Sequence, residues 1–270
     1  MTDRIFISRE LPGDGHNRLR EVAAVDVWEE AGPPSRETFI ERVADCTGII
    51  TMVTERVDSE LLDAAPRLRI VANVAVGYDN IDVAACTERE VLVGNTPGVL
   101  TGTTAELTWA LILATTRRLV EAADAARRGE WPPWNPTWMC GTDLAGTTLG
   151  IVGYGAIGQA VARRATAFDM QVIHSSRKSG LSLDELLRVA DVVSLHCPLN
   201  EHTTGLIGVH ELGLMKSSAV LINTSRGPVV DQTALADALA NGELRAAGVD
   251  VSVVEPIPID DPLLSLPNCI

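Results

Sequence analysis

Residues 148–158 read TLGIVGYGAIG, Thr148 to Gly158. An apolar run, Leu149 to Val152, meets three glycines at Gly153, Gly155 and Gly158, and an apolar-periodic segment, Ile157 to Phe168, follows at once. The order is strand, tight turn, helix start. In a dinucleotide-binding turn the first glycine permits the bend and the second lets backbone approach a pyrophosphate. The third lets helix and strand pack closely. The helix start, here Ala156 and Ile157, adds free N–H groups and a positive dipole end. Glycine spacing alone is a weak signal. The strand before it and the helix after it favour a dinucleotide site over a structural turn.

Upstream, Arg4 to Ser8 alternates like a strand and Val22 to Val27 is a second. Ser35 can cap a helix running to about Cys46, and Gly48 to Val53 follows as a buried strand. Asp58 can cap the next helix, which Pro66 bounds. Then come a strand (Leu68 to Val74), a helix (Ile81 to Glu90) and a strand (Val91 to Asn95). Downstream the same rhythm returns: strands at Gln171 to Ser175, Asp191 to His196, Ala219 to Asn223 and Ala246 to Val251, with helices at Leu183 to Val189 and Asp231 to Asn241. Strands alternating with helices imply parallel sheets covered on both faces. The expected fold is α/β, two Rossmann-like doubly wound parallel-sheet domains with a cleft between them.

In such sheets ligands sit beyond the carboxyl ends of the strands. That directs attention to Ala75-Val76-Gly77-Tyr78-Asp79 and to Asn95-Thr96-Pro97-Gly98. Gly77 could offer backbone N–H groups to an anion or form a plain turn, and the local pattern leaves both open. In the second half Arg226, after a strand end, suits bidentate capture of a substrate carboxylate. Glu255, just past the last strand, is a second candidate. A dinucleotide site selective for NAD would carry Asp or Glu after the second strand. This chain has Ser175-Ser176-Arg177-Lys178 instead, with no carboxylate to repel an extra phosphate and two cations to pair with it. That points to NADP(H), the plain alternative being a solvated pair of charges.

Between the halves, Thr103-Thr104-Ala105-Glu106 fits a capping box. The helix behind it is apolar on nearly every side until Arg117 and Arg118, so it is expected to be buried all round. After Gly129 comes a loop with Trp131, Trp134 and Trp138 among three prolines. Three tryptophans in a loop either fold back on their own subunit or bury in a partner, and a partner is favoured.

The whole composition fits this reading. The 270 residues are 46% hydrophobic and 21% charged, enough for sizeable cores. A net charge of −14 argues against nucleic acid, since nothing would neutralise phosphates. Five cysteines are scattered without a Cys-x-x-Cys pair, which reads as free thiols in a reducing cytoplasm and not as a disulfide frame or a zinc site. The N-terminus lacks a signal-peptide core. The most apolar segment, Leu107 to Ala114, is too short to span a bilayer.

Seven segments together resemble the D-isomer-specific 2-hydroxyacid dehydrogenase family over essentially the whole chain. They are NVAVGYDNID, GNTPGVLT, TTAELTWALILATTRRL, LAGTTLGIVGYGAIG, DVVSLHCPLN, LINTSRGPVVD and GVDVSVVEP. The tryptophan loop and the RRL helix end are most similar to the glyoxylate reductase/hydroxypyruvate reductase branch, whose members often use NADPH. The resemblance implies a flavodoxin-like substrate domain, residues 1–98, and a dinucleotide-binding Rossmann domain, residues 99–270. It implies that Val76 and Gly77 N–H groups hold the substrate carboxylate and that Arg226 binds it and polarises the keto oxygen. Asp250 would hold the nicotinamide carboxamide, with Thr104, Cys197, Pro198 and Thr224 lining the coenzyme. Trp134 would reach into the neighbouring subunit's substrate pocket in a homodimer.

Two departures carry consequences. The family's catalytic histidine, its pKa raised by the residue at Glu255, lies a few residues beyond a segment like Leu266-Pro267-Asn268-Cys269. In this sequence that position falls past Ile270, as does the return segment of the substrate domain. None of His16, His174, His196, His202 and His210 matches it. Loss of a general acid costs roughly 100- to 10,000-fold, so weak or no turnover is expected of residues 1–270. The connection from Arg177 to Leu183 is also about a dozen residues shorter than the family's usual one. The expected reaction is hydride transfer between NADPH, preferred over NADH, and a small 2-oxo acid such as glyoxylate or hydroxypyruvate. The alternatives are a coenzyme-sensing binding protein of the same fold, or a dehydrogenase for another 2-hydroxy acid or for phosphite.

Overall fold

The computed structural model describes residues 2–270, which form two compact units, one up to residue 99 and one over 100–270. The first alternates β1 (Arg4–Ile7), α1 (Gly15–Arg20), β2 (Ala24–Val27), α2 (Arg36–Val43), β3 (Gly48–Thr51), α3 (Ser59–Ala64), β4 (Ile70–Asn73), α4 (Val83–Glu88) and β5 (Leu92–Gly94). Its five strands are parallel in the order β2-β1-β3-β4-β5. Helices start where short polar side chains can take up free N–H groups. Ser35 accepts from Thr38 N, Asp58 from Leu61 N and Asp82 from Ala85 N, each cap worth about 1 kcal/mol. Phe6, Ile49 and Val71 from the strands pack with Phe39, Val43, Leu61 and Cys86 from the helices.

The second unit contains α5 (Thr101–Thr116), α6 (Leu119–Arg127), β6 (Thr148–Val152), α7 (Ala156–Ala165), β7 (Gln171–Ser175), α8 (Leu183–Val189), β8 (Val192–Leu195), α9 (Val209–Leu214), β9 (Val220–Asn223), α10 (Gln232–Ala240) and β10 (Ala246–Val249). Its parallel sheet runs β10-β9-β8-β6-β7. Counted from its own first strand, this is the order of the first sheet again. Every residue of β8 and β9 is buried. The two-residue period divides them between two cores: Val192, Val220 and Ile222 join Trp109, Ile112 and Val161, while Val193, Leu195 and Leu221 join Leu186, Leu235 and Leu239. A strand apolar on both faces needs helices on both faces, and α5 and α7 on one side with α8 and α10 on the other supply them. Asn268–Ile270 lie along β10, with Ala247 N donating to Asn268 O (2.9 Å) and Val249 N to Ile270 O (2.7 Å).

Two expectations fail at α5. The turn at 97–100 delivers the chain into helical geometry early, so α5 begins at Thr101 without a side-chain cap and Thr103 is already inside it. The supposed capping box is therefore not one, and Glu106 instead approaches Arg164 at 3.5 Å. Nor is α5 buried all round. Ala105, Thr108, Trp109, Ile112, Thr115 and Thr116 are buried, while Thr103, Glu106, Leu107 and Ala110 are exposed. Two of the inner threonines bond their hydroxyls back to helix carbonyls, Thr108 to Thr104 (2.8 Å) and Thr116 to Ile112 (2.6 Å). Among the described residues no helix is long and apolar enough to cross a membrane.

Candidate active site

The three glycines of the β6–α7 turn differ in what surrounds them. Gly153 has φ +94°, and a Cβ there would lie 2.6 Å from both Cys197 N and the carbonyl carbon of His196. This glycine is needed for the bend and for close contact with the end of β8. A Cβ on Gly158 would lie 2.3 Å from Gly153 O, so that glycine lets α7 pack on its own turn. A Cβ on Gly155 would meet nothing within 4 Å. The space beside it opens at the N-terminus of the ten-residue α7, where no side chain caps the N–H groups. Uncapped amides, a helix dipole and a missing Cβ fit a pyrophosphate. The turn also sits between β6 and β8, where the strand order reverses, the usual ligand position in such sheets.

Apart from Thr104 inside α5 and Trp134 in the loop after α6, the other sequence-derived residues of this unit follow the carboxyl ends of parallel strands and so share its edge. After β7, the chain turns tightly. Ser176 Oγ accepts from Ser179 N (3.1 Å), and Ser175 pairs with Gly180 in an antiparallel bridge. A Cβ on Gly180 would fall 2.1 Å from His174 O, and its φ is +98°. The short Arg177–Leu183 connection thus folds back on its own strand. Arg177 and Lys178 are exposed and make no ion pair among the described residues. Tyr154, inside the glycine turn, stacks on His174 with ring centroids 4.0 Å apart.

After β8, Cys197 is buried, and burial pushes its thiol up to about 11, so at neutral pH it is a neutral wall and not a nucleophile. Pro198 O accepts from Thr203 Oγ1 at 2.6 Å. After β9, Thr224 is buried against Thr108, with hydroxyl oxygens 3.0 Å apart. Since Thr108 spends its proton on Thr104 O, Thr224 is the donor in that pair. Asn223 Nδ2 donates to Arg226 O (2.9 Å), and Arg226 Nη1 donates to Ser225 O (2.8 Å). A Cβ on Gly227 would lie 2.0 Å from the Ser252 carbonyl. The loop bearing Arg226 and the loop bearing Glu255 are therefore packed backbone to backbone. Glu255 Oε1 accepts from Ser252 N (3.1 Å). Burial first, and then the charge of Glu255, raise the pKa of Asp250 from its ordinary value.

In the first unit, successive carbonyls of the loop after β4 are each held. Ala75 O accepts from Thr96 N (2.9 Å), Val76 O from Asn95 Nδ2 (2.8 Å) and Gly77 O from Asn73 Nδ2 (2.8 Å). Among the described residues no backbone oxygen accepts the N–H of Val76 or Gly77. Sequence reasoning named these two residues but missed those that hold them. The available signal was an asparagine ending an otherwise apolar strand. Trp131 stacks on Trp138 (centroids 6.4 Å apart), while Trp134 remains 88% exposed.

A family model described as "D-isomer specific 2-hydroxyacid dehydrogenase, NAD binding domain" matches residues 109–270. The chain belongs to that family. Its NAD-binding domain implies a nicotinamide coenzyme. The dehydrogenase is 48% identical over 282 residues to the glyoxylate reductase of Korarchaeum cryptofilum, covering 100% of this chain and 85% of the relative. To that of Thermococcus kodakarensis it is 46% identical, with the same coverage of each chain. Among solved structures it is similar to the TT0316 protein of Thermus thermophilus (TM-score 0.93, 46% identity, 99% and 88% of the two chains). It is also similar to the NADPH-dependent glyoxylate/hydroxypyruvate reductase of Sinorhizobium meliloti in complex with NADP and malonate (TM-score 0.85, 33% identity, 100% and 85%).

Proposed function

We propose that this dehydrogenase reduces a small 2-oxo acid, glyoxylate or hydroxypyruvate, with NADPH. The observation that carries the reading is the open space beside Gly155 at the uncapped start of α7, in a chain so similar to glyoxylate reductases. When bound, the reduced nicotinamide supplies a hydride to the keto carbon. The chain's own residues do the rest. Gly155, Ala156, Ile157 and Gly158 cradle the pyrophosphate, and Thr104, Cys197, Pro198 and Thr224 line the nicotinamide half. Asp250 takes the carboxamide. Val76 and Gly77 N–H groups take the substrate carboxylate. Arg226, in the second unit, is the cation suited to a carboxylate and to polarising a keto oxygen.

Ser176, Arg177 and Lys178 favour the extra phosphate of NADPH, since both cations are exposed and form no ion pair among the described residues. Glu255 stands by for the proton-transfer step. Among the described residues no histidine is placed as the donor. His196 bonds Ser194 (2.8 Å), and burial lowers its pKa to about 4, which keeps it neutral. Exposed Leu107, Leu119, Val120, Trp131 and Trp134 favour a homodimer through α5, α6 and the tryptophan loop.

Calorimetry with NADPH and NADH tests the coenzyme assignment. Tighter binding of NADPH is expected. Equal affinities would remove the phosphate role of Arg177, and no heat with either would remove the site. Glyoxylate and hydroxypyruvate are then added with protein in excess over NADPH, so that a single slow turnover registers. NADPH that binds but is never oxidised by either acid, with NADP+ never reduced by phosphite, favours the binding-protein reading.

A further inference from the structure

Beneath the loop 75–79 lies a buried polar relay that the assigned roles do not use. Glu55 is 4% exposed, and both its oxygens are engaged. Oε2 accepts from Ser8 Oγ (2.6 Å) and Met52 N (2.7 Å); Oε1 accepts from Thr54 Oγ1 (2.6 Å) and faces Arg9 Nη1 at 3.2 Å. A carboxylate with four donors is fixed in place. Asn80 Nδ2 then donates to Glu55 O (2.8 Å) and Met52 O (3.0 Å), which leaves Asn80 Oδ1 to accept from Asn73 Nδ2 (3.2 Å). Asn73, 1% exposed, accepts from Thr51 Oγ1 (3.0 Å) and gives its other N–H to Gly77 O (2.8 Å). The relay ends on a carbonyl of the loop itself.

A trans peptide is planar, so a carbonyl and the N–H of the next residue point in opposite directions. Holding Gly77 O from below therefore turns the Tyr78 N–H outward, as holding Ala75 O and Val76 O turns out the N–H groups of Val76 and Gly77. Among the described residues no backbone oxygen accepts any of the three. We propose that Asn73, braced by Asn80 and Glu55, is a positioning residue that makes Tyr78 N–H a third donor to the substrate carboxylate. This rests on the reading of Val76 and Gly77 given above.

The test is a titration of 15N-labelled protein with oxamate, a non-reducible analogue of a 2-oxo acid, with and without NADPH. The amide signals of Val76, Gly77 and Tyr78 are expected to move together. Movement of Val76 and Gly77 with Tyr78 unmoved overturns the inference and leaves the carboxylate site standing. No movement in any of the three overturns the site. Asn73→Asp keeps the shape and the acceptor but cannot donate to Gly77 O; Asn73→Ala removes both. One charge-assisted bond is worth roughly 10- to 100-fold in affinity. Both variants are expected to weaken oxamate at least that lower amount while the heat of NADPH binding is unchanged. Wild-type oxamate affinity in a folded Asn73→Asp variant overturns the proposal. Should neither variant fold, the Tyr78 amide of the wild type decides alone.

Discussion

Three single substitutions, Gly153→Ala, Gly155→Ala and Gly158→Ala, separate folding from binding inside one turn. At Gly153 the φ of +94° disfavours any L side chain, and the added methyl would sit 2.6 Å from backbone atoms of Cys197 and His196. Positive-φ strain of about 1–2 kcal/mol and overpacking of about 1–3 kcal/mol together give roughly 2–5 kcal/mol of destabilisation. For a unit of this size that lowers the melting temperature by roughly 4–20 °C. Gly158→Ala meets Gly153 O at 2.3 Å, and the helix-propensity gain of about 1 kcal/mol offsets only part of that overlap. Gly155→Ala is the opposite case. Its φ of −79° suits alanine, the methyl meets no atom within 4 Å, and the cost is the poorer N-cap alone, about 1 kcal/mol or less. The methyl would instead occupy the space assigned to the pyrophosphate. Losing one or two amide–phosphate bonds at about 1.5–3 kcal/mol each weakens NADPH by roughly 10-fold or more. Thermal melts and calorimetry on all three variants measure both quantities. If Gly155→Ala melts like wild type and also binds NADPH like wild type, the phosphates lie elsewhere and the reasoning fails.

Two further outcomes are expected. His196 is neutral in the folded chain, its pKa lowered to about 4 by burial. Because the unfolded chain takes up that proton near pH 6.5, the contribution is fully present above pH 6.5 and is lost as pH falls towards 4, by up to about 3 kcal/mol. Urea midpoints at pH 7, 6 and 5 check this: His196→Gln flattens the decline, and a slope equal to wild type refutes it. For the tryptophan loop, sedimentation is expected to show a dimer for the native chain and a weaker one for Trp131→Ala combined with Trp134→Ala. A monomeric native chain at micromolar concentration, the loop intact, leaves Trp134 without its proposed partner.

Most strands and the longer helices were legible because period and punctuation agreed. Gln171–Ser175 and Leu183–Val189 have the expected bounds, and Ser35 and Asp58 accept the N–H bonds expected of them as caps. The six-residue helices α1 and α9 gave no such signal; α1 buries nothing, so no apolar stripe marks it. The capping-box reading erred because the motif lies inside a helix whose start is set by the preceding turn. The all-round burial of α5 erred because apolar composition says that a face seeks cover, not that its own chain provides it. At the site, the reactive residue types stood out at strand ends. Their supports did not, since support depends on contacts such as Ser8–Glu55, 47 residues apart in sequence.

The two units use one device at matching places. In each sheet the fourth strand in chain order ends in an asparagine with 1% exposure, Asn73 on β4 and Asn223 on β9. A carboxamide buried so deeply is costly unless its polar atoms are paired. Asn73 pairs with Thr51, Asn80 and Gly77; Asn223 pairs with Arg226 O through Nδ2 and with Ser225 N (3.0 Å) and Oγ (2.8 Å) through Oδ1. In both cases the side chain's N–H fixes a backbone carbonyl three or four residues later, at Gly77 and at Arg226. Leucine would leave that carbonyl unheld, and aspartate could not donate to it. The loops carry the chemistry, but their backbone directions are set one step earlier, by the last residue of a strand. IVAN and VLIN are therefore as much a part of the site as the loops they introduce.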